Sequence, residues 1–301
     1  MKRIFSLVGL FVFMVLWAAC ERTLEVEVPE EPPRLVVNSL FAPYKPLWEI
    51  TFTQSQPTIG PVSQDFLVHG NVHVTIQEND RTIHDSTYTA EGARWIALPS
   101  LRPQAGKTYR LRASSDSLGA IEAETTVPPP VTVRAEPTSS TRSPAVSWRL
   151  EIDDLPEVGA YMAYPSLIVY YAGAGSGGAE AVIPYQVVAG TVVVPAPAPD
   201  AEDEYYYDPF LFDDRLFTDK TGWIEWSLDS ATLDQCGHPN VDSCHIRWTV
   251  ITLSEDAERY LRSYQAAQNR GGLFEAPATI YSNVKNGIGI WAATNRSTII
   301  R

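Results

Sequence analysis

The sequence predicts a mainly β protein: an N-terminal immunoglobulin-like β-sandwich, then a second β-rich, sandwich- or barrel-like domain carrying one α-helix. Three observations lead there. Apolar and polar residues alternate with period two along most of the chain, as in Trp48, Ile50 and Phe52 against Glu49, Thr51 and Thr53, which is the pattern of sheets covered on one face. Turn formers punctuate these runs at short intervals. Finally, Pro128-Pro129-Pro130 divides them, because three prolines cannot continue a sheet interior and form a stiff extended piece instead.

The first element is not part of that fold. Lys2 and Arg3 precede an uncharged apolar run from Ile4 to Trp17, which ends at Ala18-Ala19-Cys20. A charged start, a short apolar stretch and small residues before a cut make a secretory signal over residues 1–19. About 14 apolar residues give roughly 21 Å of helix, too short for a ~30 Å hydrocarbon core. The Ala-Ala-Cys ending resembles the lipobox of bacterial lipoproteins, with Trp17 where Leu is usual, so Cys20 is expected to carry lipid. One acyl chain holds a protein marginally and two or more hold it stably. An ordinary secretory signal with an incidental cysteine is the alternative.

The chain has three cysteines, and lipid on Cys20 leaves one pair for an oxidising compartment, Cys236 and Cys244. Their segment, Cys-Gly-His-Pro-Asn-Val-Asp-Ser-Cys, is rich in turn formers. A disulfide is expected there; a metal site from Cys236, His238, Cys244 and His245 competes with it, at spacings that fit none of the familiar zinc sets. Without its leader the chain has 282 residues and a formal charge of −15. That size suggests two domains, and that charge argues against nucleic acid and anionic lipid surfaces as partners.

Residues 20–33 read as an acidic, proline-containing tether. Within 34–127 the alternation recurs at Val72, Val74 and Ile76 and at Tyr109, Leu111 and Ala113, with turns at Glu78–Arg81, Ala105–Lys107 and Asp116–Gly119. About seven short strands in that span suggest the immunoglobulin-like sandwich. After the proline linker 128–130, residues 131–301 form the second domain. Strands are expected at Trp148–Ile152, Leu167–Tyr171, Tyr185–Val194, Trp223–Leu228, His245–Leu253, Thr279–Ser282 and Gly289–Ala292. A helix is expected near 254–269: Ser254 is a good N-cap, Glu255 and Asp256 suit the first turn, and Ala257, Tyr260, Leu261 and Tyr264 share a face.

Candidate sites are few. Gly173-Ala-Gly-Ser-Gly-Gly178 satisfies G-x-G-x-x-G in form, but a strand rather than a helix follows, so it reads as a hairpin loop. Pro195–Pro199 leads into a run containing Asp200, Glu202, Asp203, Glu204, Tyr205, Tyr206, Tyr207 and Asp208. Its carboxylates could gather calcium, which prefers six to eight oxygens, although no D-x-D-x-D-G order is present and acidic runs are usually solvated. The three tyrosines could stack on a sugar or a partner, or end a strand. His69 and His73 should point outward from a strand. No H-E-x-x-H, P-loop or catalytic triad signature appears, and no cofactor is expected.

The C-terminal third carries a family resemblance. Leu253-Ser-Glu-Asp-Ala-Glu-Arg-Tyr-Leu-Arg-Ser-Tyr264, Phe274-Glu-Ala-Pro277 and Tyr281-Ser-Asn-Val-Lys-Asn-Gly-Ile-Gly-Ile-Trp291 resemble the Bacteroidota lipoprotein family called domain of unknown function 4249, with Trp291 in place of the usual Phe. Cys20-Glu21, Pro33–Asn38 and Asp213–Trp223 are similar to the family's start and middle. The resemblance implies an outer-membrane lipoprotein often found beside TonB-dependent receptors, with no catalytic residues to carry over. Gly287 and Gly289 read as structural glycines and Asn283 as a turn former. The expected function is therefore a non-enzymatic accessory or binding component of an uptake system, anchored through Cys20. A structural or adhesive surface lipoprotein is the first alternative, and an envelope enzyme with an unrecognised site is the second.

Overall fold

The computed structural model describes residues 32–56, 68–138, 146–171 apart from 154 and 157, 178–190 apart from 184, 210–215, 217, 221–268 apart from 229, and 279–301. Strands β1 (Leu35–Phe41), β2 (Trp48–Gln54), β3 (Val72–Glu78) and β4 (Arg81–Tyr88) are followed by a one-turn helix α1 (Ala90–Ala93), then β5 (Ile96–Leu98), β6 (Thr108–Ser115) and β7 (Gly119–Thr126). Next come β8 (Val133–Thr138), β9 (Val146–Asp153), β10 (Ala160–Tyr171), β11 (Ala179–Val182), β12 (Tyr185–Gly190), β13 (Phe210–Asp213) and β14 (Thr221–Leu228). A short helix α2 (Ser230–Leu233) and a 3-10 turn lead to β15 (Val241–Leu253), helix α3 (Glu255–Gln268) and β16 (Ile288–Ile300). The described residues are mainly β, with multiple sheets and one long helix among them, as the sequence predicts.

About seven strands are expected between residues 34 and 127, and the described residues of that span hold β1 to β7. They divide between two layers: β4-β3-β6-β7 form one sheet, while β1, β2 and β5 join a longer one in the order β11-β10-β15-β16-β1-β2-β5, with β13 also on β10. The alternation read from sequence explains which residues turn inward. Val72, Val74 and Ile76 from one layer and Leu35, Val37, Ile50 and Phe52 from the other fill the first core. Phe41, Trp48, Tyr109 and Trp291 meet at its centre, with Phe41 and Trp48 stacked at 4.2 Å and Trp48 and Trp291 at 5.4 Å between centroids. Each such aromatic pair adds about 0.5–1.5 kcal/mol beyond simple burial.

A third sheet, β12-β14-β9-β8, covers the other end of the long sheet and closes a second core around Leu150, Ile152, Trp226, Trp248 and Val250. Helix α3 packs on the opposite face of the long sheet, where Ala257, Tyr260 and Leu261 meet Ile251, Leu253, Ile290 and Ala292. Ser254 caps it: its Oγ accepts from the Ala257 N–H at 3.3 Å and from the Ala293 N–H at 3.2 Å.

The long sheet is joined by β16. Its first half pairs parallel with β1, Val36 beside Ile288 through Phe41 beside Ala293. Its second half pairs antiparallel with β15, Leu253 beside Thr294 through Arg247 beside Ile300. The proline segment lies against this sheet, with Pro128 buried, Pro129 half-buried and Pro130 exposed. Asn295 Nδ2 donates to the Pro128 carbonyl at 2.9 Å, Thr252 Oγ1 to Pro129 at 2.9 Å and Ser297 Oγ to Val131 at 2.6 Å. The expected strand at Thr279–Ser282 is absent: residues 279–284 are irregular, and side chains from this segment do the bonding that a strand backbone would.

Candidate functional site

Of the residues singled out in the sequence, Cys236 and Cys244 are joined in a disulfide with Cα atoms 5.6 Å apart. The covalent bond uses both sulfurs and replaces the four-ligand metal arrangement. Both cysteines pack at the edge of the second core with Leu233 and Val241, so the crosslink fixes a connection over the open end of that core. Among the described residues no group of three or more His, Cys, Asp or Glu could hold a metal ion. Cys20 and the Asp200–Asp208 loop lie outside the described residues, as do Gly173–Gly177 of the glycine-rich loop.

The residues that carry the C-terminal resemblance come together as a structural joint. Asn283 Nδ2 donates to the Trp291 carbonyl at 2.8 Å, and its Oδ1 accepts from the Trp291 N–H at 3.0 Å. One carboxamide thus replaces a neighbouring strand where β15 has already turned into helix α3. Trp291 Nε1 donates to the Tyr109 carbonyl at 2.9 Å. Gly289, at φ +115°, runs so close to β1 that a Cβ there would sit 1.9 Å from the Val37 oxygen. Tyr281 bonds Asp256 on helix α3 at 2.8 Å, and its N–H bonds Ser263 Oγ at 2.8 Å. The two segments most legible as family-like, Pro33–Asn38 and Tyr281–Trp291, thus meet where Val36–Asn38 pair with Ile288–Ile290 in one sheet.

Polar clefts open at several places among the described residues, and two of them bring together residues singled out in the sequence. One, about 350 Å³, lies on the outer face of the β4-β3-β6-β7 sheet between His73, Thr75, Arg112, Ser114, Glu122 and Asn286. His73 Nε2 lies 3.1 Å from an Asp85 carboxylate oxygen, and Arg112 pairs with Glu122 at 3.7 Å in its wall. His73 points outward, as the strand pattern predicts. The other, about 460 Å³, is bordered by Gly159, Asp213, Asp214, Arg215, Glu258 and Arg262. Asp213, only 4% exposed, accepts from Arg215 at 2.6 Å and from Arg262 at 3.4 Å. The Asp213–Trp223 stretch had suggested only a family likeness; Asp213 next to an arginine two residues on was the readable signal of an anchored carboxylate.

The electrostatics of these groups follow from burial and from their bonded partners. Burial alone would raise the Asp213 carboxyl, but the Arg215 bonds and charge, helped by Arg262, hold it below its ordinary value. Burial and a bond to Glu78 push Tyr109 up to about 12. Burial and the Asp256 bond raise Tyr281, and burial lowers His84. Each of these shifts has its cause in burial and the bonded partners just named.

The family described as domain of unknown function (DUF4249) matches the chain over residues 21–300. No curated protein matches. Among solved structures, the native α-L-rhamnosidase from Aspergillus terreus is similar over 75% of this chain, at 12% identity and a TM-score of 0.31. This chain spans 28% of that enzyme's chain, and a likeness so loose bears on neither activity nor substrate.

Proposed function

This chain belongs to the DUF4249 family, and from that premise we propose that it is a lipid-anchored outer-membrane protein that serves, without catalysis of its own, as an accessory or binding component of a TonB-dependent uptake system. The observation that carries the reading is the junction at Cys20: a leader of signal-peptide form ends at Ala18-Ala19-Cys20, and the family match begins at the next residue. Two features of the folded body support it. The residues typical of the family build the joint between β1 and β16, and the charged groups brought together at the clefts are bonded to one another. The receptor enters through the family likeness. The test is affinity purification of the native protein from membranes under mild detergent. A β-barrel receptor should accompany it in stoichiometric amount; recovery of the protein alone would remove the uptake role.

A further inference from the structure

The geometry points to a rigid strut: the two β-sandwiches are splinted into one body with no hinge, which holds the far end of the second sandwich at a set distance from the point where the tether enters β1. Strand β16 is the spine. β1 and β15 lie on its opposite flanks, because the Trp291 backbone groups on the β15 side are already taken by Asn283. Its side chains serve both cores from one face, Trp291 and Ala293 in the first and Ile299 against the second.

A hinge would need a few residues free to change φ and ψ, and two crossings among the described residues are held against it. On the core face, the linker has three prolines of fixed φ, and the carbonyls of Pro128, Pro129 and Val131 are held by Asn295, Thr252 and Ser297. Within β16, Ala293, Thr294 and Asn295 are at most 6% exposed, and Ser254 N–H donates to the Ala293 carbonyl at 3.0 Å. On the opposite face helix α3 lies over β16 and β15, its Ala257 in one apolar cluster with Ile290, Ala292, Ile251 and Leu253, against which Leu40 of β1 also packs.

The register sets the length. Ile288 is level with Val36, Arg301 is bonded to Ile246, and Val241 is level with Tyr171. At about 3.3 Å per residue the sheet runs roughly 60 Å from the β1 entry to the β10–β15 end. That end carries exposed Tyr170 and Tyr171 and the disulfide loop. Calling the β1 end the membrane end rests on the lipoprotein reading; the rigidity does not.

The test places spin labels at Thr82→Cys on β4 and Glu136→Cys on β8, both exposed, in the full chain in detergent, and measures their separation by double electron–electron resonance. One narrow distance distribution is expected, unchanged when the protein is moved into lipid vesicles. A broad or two-peaked distribution would overturn the strut. The mass of the labelled protein keeps the two claims apart: a third label, on an unacylated Cys20, would count against the anchor and leave the strut standing.

Discussion

At the scale of single residues, the side chains that matter most replace or exclude backbone. Gly289 has no room for a side chain, so Gly289→Ala should separate β1 from β16. A loss of about 3–5 kcal/mol in urea unfolding is expected, where a change under about 1 kcal/mol would show that β1 can move aside. Asn283→Ala leaves both Trp291 backbone groups unbonded in a partly buried place and should cost about 2–4 kcal/mol. The shifted groups set the pH profile. Because the Asp213 carboxyl is lowered in the fold, its contribution is present above the unfolded value near 3.9 and is lost as pH falls through the folded one. Asp213→Asn should therefore flatten the acid limb of the stability curve. Tyr109 is raised, so its contribution is complete below about 10 and fades toward 12, and Tyr109→Phe should flatten the alkaline limb. Unchanged limbs would contradict these assignments. Gly289 could be recognised from sequence as structural, but its reason could not: the Val37 oxygen that excludes a Cβ lies some 250 positions away in the chain.

At the scale of elements, the sequence is most informative where one period runs uninterrupted. Helix α3 was readable because cap, acidic first turn and apolar face agree, and β2, β3 and β6 because one side is covered and the other wet. Legibility failed where a strand serves two environments. β16 was visible only as Gly289–Ala292; its later half, Thr294 to Ile300, is polar where it holds the linker and so lacks a clean alternation. β13, four buried residues long, is too short to show a period at all. Of the candidate sites, the Cys236–Cys244 pair was legible from cysteine arithmetic, whereas the Asp213–Arg262 contact joins residues 49 apart and has no local signature. The disulfide closes a short loop over the second core, so replacing both cysteines by serine should cost about 2–3 kcal/mol without preventing folding. Denatured, unreduced protein should show neither Cys236 nor Cys244 as a free thiol; finding both free would return the metal reading to consideration.

At the scale of the whole molecule, the shared sheet makes a prediction about cooperativity. Because β16 completes the first core with Trp291 and Ala293 and flanks the second with Ile299, unfolding by urea should be a single transition reported alike by tryptophans of either core, Trp48 and Trp226. Two separated transitions would mean that the sandwiches fold independently. A chain cut after Val127 would lack the parallel partner of β1 and should not fold alone. The proposed anchor puts lipid on Cys20, at the end of the apolar stretch that closes with Ala18-Ala19. The most direct test of that claim is metabolic labelling with a radioactive fatty acid, comparing the natural chain with Cys20→Ala. Label on the natural chain and none on the variant, which should accumulate as uncleaved precursor, is the predicted result; equal label on both, or none on either, would contradict it.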